Sequence, residues 1–235
     1  PFGPLTRWQN EHLGSVARWL APWLALALAV AVIAYFRAPQ HPFKTALAYF
    51  SGLWIALGTA RFVWQRFKHA NGRFTAEMSG MVPAHTGVAV FCFGAFMAEG
   101  LSVEKDVAAK PGQRFEIGDY RFTFQGVREL PGPNFTAQRG DVLVSRDGRT
   151  IGLLHPEKRQ YASGGSIMTE ADMHGGISRD LYVALGEPLD DKGAWALRLH
   201  VKPFIRWIWF GALMMALGAL LVTFDKRFKH KAKAA

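Results

Sequence analysis

The sequence predicts an α-helical membrane protein of four transmembrane helices, with a small β-rich exterior domain, barrel or sandwich, inserted between the third and fourth. Three observations carry this. Four long uncharged stretches are spaced through a 235-residue chain that is 50% hydrophobic. The hundred residues before the last stretch alternate polar and apolar side chains around glycine turns. The chain's excess positive charge lies wholly outside that hundred-residue segment.

The spans come first. Trp19 to Phe36, Thr45 to Ala60, Met78 to Met97 and Trp207 to Phe224 are uncharged. A helix rises about 1.5 Å per residue and the hydrocarbon core is about 30 Å thick, so roughly 17 to 25 apolar residues suffice to cross it. The second stretch is short, and it reaches spanning length through a snorkelling Arg61 and the Phe62, Val63 and Trp64 that follow. The domain reading is a membrane region over 1–99 with spans at about 19–36, 45–64 and 78–98, a β-rich domain over 100–202, a fourth transmembrane helix over 203–224, and a basic tail over 225–235.

A net charge of +10 invites a nucleic-acid partner, but its distribution argues against one. Residues 101 to 202 hold 14 basic and 14 acidic side chains, whereas the remainder holds 14 basic and 4 acidic. The surplus follows the positive-inside rule: Arg61, Arg66, Lys68 and Arg73 lie between spans two and three, and Lys226, Arg227, Lys229, Lys231 and Lys233 follow span four. Both segments are expected in the cytoplasm, with Arg7 and Arg18. The 100–202 domain is then expected outside. Trp8, Trp19, Trp23, Trp64, Trp207 and Trp209 fall near span ends, as interfacial aromatics do. The single cysteine, Cys92, lies inside span three, so the exterior domain holds no disulfide and must be held by its own core. No charged-then-apolar leader with a small-residue cleavage site is visible, so no cleaved signal peptide is expected.

Within 100–202, Arg114 to Val127 reads as a hairpin around Gly118-Asp119. Asp141 to Ser145 and Thr150 to His155 flank Arg146-Asp147-Gly148, where Asp-Gly supplies the positive φ angles of a tight turn. Tyr182 to Leu185 and Trp195 to Val201 make a third pair. About six short strands point to a small barrel or sandwich.

Of eight histidines, His85 alone lies within a span. An ionisable side chain in hydrocarbon is costly and normally faces a partner, so His85 is either a cofactor ligand or a hydrogen-bonding group that joins helices. Position leaves both open. Gly80, Gly87 and Gly94 recur every seven residues and offer one smooth packing face, while His85 lies nearly opposite. Small Ala89, one turn on, leaves room beside the imidazole for a flat macrocycle such as a haem with an axial histidine. The segment His155-Pro-Glu-Lys-Arg-Gln-Tyr is polar and reads as a strand end turning into a solvated charged loop. No nucleophile elbow, phosphate-binding glycine loop or metal-binding histidine pair at helical spacing is present.

The third span with Ala84-His85-Thr-Gly-Val-Ala-Val, His155-Pro-Glu-Lys-Arg-Gln-Tyr, Met168-Thr-Glu-Ala, Arg179-Asp-Leu-Tyr-Val-Ala-Leu-Gly-Glu-Pro-Leu-Asp-Asp and Lys202-Pro-Phe-Ile-Arg-Trp-Ile-Trp-Phe-Gly together resemble the carboxy-terminal third of the CcmF family. That is the haem lyase subunit of bacterial cytochrome c maturation. The resemblance implies a multi-pass protein of the bacterial inner membrane with residues 100–202 in the periplasm. It implies covalent attachment of haem to the Cys-x-x-Cys-His motif of apocytochrome c, and a haem b in the membrane with His85 as one axial iron ligand. Implied partners are a haem chaperone (CcmE-like), an apocytochrome-handling subunit (CcmH-like), apocytochrome c and the lipid bilayer, with quinol a candidate electron donor. The family's tryptophan-rich segment, its exterior haem-holding histidines and its other haem b histidine lie upstream of the matched region. The residues here are therefore expected not to attach haem alone, and no catalytic residue is assigned. The competing reading is a non-catalytic membrane scaffold that recruits assembly partners, with His85 a helix-packing residue.

Overall fold

The computed structural model describes residues 13–38, 41–69, 71 and 76–224. The expected tail at 225–235, the segment holding Arg7 and Trp8, and Arg73, His12 and His230 fall outside them. Two compact units emerge, one from residues up to Leu101 together with those from Phe204 onward, the other Ser102–Pro203.

The first unit is helical: α1 (Leu13–Arg37), α2 (Pro42–His69), α3 (Ala76–Leu101) and α4 (Ile205–Thr223). All four are long and apolar enough to cross a bilayer. Contacts are strongest between chain neighbours, α1 with α2, α2 with α3 and α3 with α4. The α3–α4 seam is set by glycine. A Cβ added at Gly87 would stand 2.7 Å from the Gly211 carbonyl oxygen and 2.8 Å from the Met215 nitrogen, and one at Gly218 would stand 2.6 Å from the Ala84 nitrogen. Only residues without a side chain allow backbones this close. On another face of α3, Gly52 of α2 meets Phe93, and Tyr49 lies edge-on to that ring at 5.7 Å. Lys44 and Glu99 form an ion pair of 2.5 Å between the same two helices.

The helices extend past the uncharged stretches. Because α2 has 28 residues, it is about 42 Å long against a core of about 30 Å, so its end carrying Arg66 and Lys68 reaches beyond the hydrocarbon. Pro22 and Pro83 lie inside α1 and α3, where each removes one ladder hydrogen bond.

The second unit is a sandwich of two antiparallel sheets. One orders β1 (Val103–Ala109), β10 (Trp195–Pro203), β9 (Arg179–Pro188) and β8 (Asp172–Gly175). The other orders β2 (Arg114–Ile117), β3 (Tyr120–Pro131), β4 (Phe135–Arg146), β6 (Glu157–Tyr161) and β7 (Met168–Glu170), with β5 (Arg149–Leu154) also on β4. Alternation builds the core: Phe122, Phe124, Val142 and Val144 from one sheet face Leu181, Val183, Leu185, Leu197 and Leu199 from the other. The 12-residue β4 pairs with β3 along one edge, while on its other edge β6 takes residues 135–139 and β5 takes 142–146.

The three hairpins read from the sequence are present. Asp147 and Gly148 take φ of 50° and 76°, the geometry their turn demands. The strand count is corrected from about six to ten. β1 and β6 were hidden because Glu104, Lys105, Asp106 and Glu157, Lys158, Arg159 put charge where the alternation test seeks apolar residues. β7 and β8 have only three and four residues.

Candidate functional site

α3 carries His85 through two features of its sequence. Met81 to Val90 holds only one charged-capable group among small and apolar residues, so it stays helical in an apolar medium. Pro83 also interrupts the hydrogen-bond ladder two residues before the histidine. The imidazole is half-buried, and its Nδ1 lies 3.2 Å from the Met81 carbonyl oxygen one turn back. A carbonyl can only accept, so Nδ1 carries the proton and donates. In the neutral ring this leaves Nε2 as the nitrogen with the free lone pair. This is the state of a metal-ligating histidine, whose second ring nitrogen donates to a carbonyl or carboxylate and so fixes tautomer and orientation.

The surroundings of His85 follow from helix geometry. At about 100° per residue, the Gly87 face that meets α4 lies about 200° around from His85, and Ala89, which Gly52 of α2 approaches, lies about 40° away. His85 therefore sits at the border of the α2-facing side, away from the α4 seam. Ala89 is buried beneath Gly52 of α2, so the space beside it that the sequence offered to a flat macrocycle is covered by the neighbouring helix. No group of three or more histidine, cysteine or carboxylate side chains suited to a metal occurs among the described residues. His69, at the end of α2, is exposed and binds the carbonyl of Gln65 in its own helix.

The β unit holds an arrangement the sequence concealed. His155, at the β5–β6 corner, places Nδ1 2.6 Å from Asp141 Oδ1, and its backbone N–H donates to Asp172 Oδ2 at 2.7 Å. Asp141 also receives Arg128 at 3.3 Å and lies 4.0 Å from Arg139. The expected solvated loop after His155 is in fact strand β6. Its Lys158 is only 6% exposed and is paired with Glu187, while Arg159 holds Glu157 at 2.8 Å. The partners come from β4, β8 and β9, so no local motif could announce them. His200 packs edge-on to Tyr182, with ring centres 5.0 Å apart, and burial holds its imidazole below the ordinary histidine range. Arg198 spans to Asp106 through two bonds of 2.8 and 3.0 Å, which holds that carboxyl below its usual range.

Comparison with known proteins adds three findings. The family described as CcmF C-terminal beta-sandwich matches residues 100–203. The cytochrome c-type biogenesis proteins CcmF of Pseudomonas fluorescens and of Escherichia coli K12 are each 40% identical, over 99% and 97% of this chain and 36% and 35% of their own lengths. NrfE of Haemophilus influenzae is 35% identical over 76% of this chain and 27% of its own length. A solved structure titled cytochrome c haem lyase CcmF shares the fold, with a TM-score of 0.72 at 23% identity over 95% of this chain and 37% of that one. The chain thus spans about a third of the length of the relatives it matches.

Proposed function

From the premise that this chain belongs to the CcmF family and corresponds to its carboxy-terminal portion, we propose that it is one part of a cytochrome c haem lyase. In this reading His85 binds a membrane haem b through Nε2, and the β unit stands on the periplasmic side of the bacterial inner membrane. A bound haem b would supply one-electron transfer. What the chain's own residues contribute is narrower. The Met81 carbonyl holds Nδ1 as the donor and so orients the half-buried imidazole. The α3–α4 glycine seam keeps the backbone that presents the imidazole fixed.

The single observation that carries the ligand reading is the Nδ1–Met81 bond. In the scaffold reading His85 serves helix packing, whereas the hydrogen bond of its ring returns to its own helix. Haem joined to the Cys-x-x-Cys-His motif, delivered by a haem chaperone and met by an apocytochrome-handling subunit, completes the proposed reaction; those parts fall to other regions or partners. The β unit offers a docking surface in its exposed Ile167, Met168, Met173 and Ile177.

The test is spectroscopic. In the intact protein that carries this chain, His85→Ala should abolish or shift the reduced haem b absorption, and added imidazole should restore part of it. An unchanged spectrum sinks the ligand assignment and leaves the scaffold.

A further inference from the structure

We propose that the cleft between α1 and α2 binds an anionic phospholipid, with its phosphate on Arg61. A cavity of about 520 Å³ opens there, lined by Trp23 of α1 and by Leu57, Ala60, Arg61 and Trp64 of α2. Its chemistry is divided. Leu57, Ala60 and the two indoles form an apolar wall suited to an acyl chain, and Arg61 is the cation at one side.

Arg61 is half-buried, and among the described residues no acidic side chain forms an ion pair with it. An unneutralised charge at the edge of hydrocarbon must reach water or find an anion. The cavity makes the anion the better solution, because it holds both the guanidinium and the apolar wall. Lys68 reinforces the site. Arg61, Trp64 and Lys68 stand at i, i+3 and i+7 on one face of α2, and the Lys68 ammonium lies 5.2 Å from the centre of the Trp64 ring. Two cations about 10 Å apart along the axis therefore bracket one indole. An anionic headgroup satisfies both, whereas a zwitterionic lipid brings its own ammonium against Lys68. Free phosphate would satisfy Arg61 and leave the apolar wall unused. This inference is independent of the haem reading and stands or falls apart from it.

Native mass spectrometry of the intact protein, loaded from equal amounts of phosphatidylglycerol and phosphatidylcholine, tests it. Wild type should retain phosphatidylglycerol in preference. Arg61→Gln should reduce that preference about fivefold, in line with one basic residue near a lipid surface, Lys68→Gln should reduce it less, and Arg61→Lys should keep most of it. Excess inorganic phosphate should leave the lipid bound. Absence of a preference in wild type overturns the proposal without reference to any variant. So does an unchanged preference in Arg61→Gln, or displacement of the lipid by phosphate alone.

Discussion

Phe122 and Phe124 are fully buried between the two sheets, and no disulfide relieves them of holding the β unit together. Phe122→Ala is expected to cost about 3–5 kcal/mol, since a large ring leaves a cavity the sheets cannot close. Trp195 is the sole tryptophan between 102 and 203 and is 8% exposed, so its fluorescence during urea unfolding of that segment reads the loss directly. His200 gives the same unit a pH response. Burial holds its folded pKa below the ordinary value of about 6.5, whereas in the unfolded chain it returns to that value. Between the two the unfolded chain binds more protons, so this contribution is intact above about pH 6.5 and is lost as pH falls through the lower folded value. Unfolding midpoints measured from pH 7.5 to 5 should decline in wild type and decline less in His200→Gln, whatever that variant's absolute stability. An identical slope in both would remove His200 from the account. His85 stood out as a candidate from position alone, because one ionisable group among apolar residues is conspicuous, but position left the ligand and helix-packing roles open. His155 did not stand out, since Asp141 and Asp172 come from strands 14 and 17 residues away in the chain.

Among the elements, α3 and α4 depend most on an absence of side chains. At Gly87 and Gly211 the atoms that an added Cβ would strike are backbone atoms of the facing helix, joined at Gly87 by the Met214 Cβ, and none of these can rotate aside. Gly87→Ala or Gly211→Ala should therefore force the helices apart, at about 1–3 kcal/mol as an overpacking cost. Gly52→Ala meets the Phe93 Cβ at 3.2 Å and should cost less. Thermal unfolding of the intact protein in detergent should rank the variants in that order; equal midpoints for Gly87→Ala and wild type would show that the seam is not tight. The Gly80, Gly87, Gly94 period marked this face in the sequence, but its partner became visible only with Gly211 and Gly218 in place. Long apolar helices declare themselves by composition, and hairpins with Asp-Gly turns by chemistry. Charged strands such as β6 do neither, because their place in the sheet is decided by the neighbours they pair with.

At the scale of the whole molecule, charge is the organising quantity. The β unit balances 14 basic against 14 acidic side chains, while the rest carries 14 against 4, so the two parts meet different constraints on crossing a membrane. Short loops rich in lysine and arginine resist translocation, whereas a segment of about a hundred residues is carried across largely regardless of its charge. The region joining α2 and α3 should then remain inside, and the β unit should stand outside with an even number of helices between the ends of the chain. Cysteine labelling with a membrane-impermeant maleimide in intact cells checks this. Native Cys92, within α3, is first replaced by alanine so that each introduced thiol reports alone. Lys192→Cys, in the β9–β10 connection, should label without lysis. Asn71→Cys, beyond the end of α2, should label only after the membrane is broken. The reverse pattern would invert the orientation and place the Arg61 cleft in the outer leaflet; labelling of both sites in intact cells would mean that α3 does not cross the membrane.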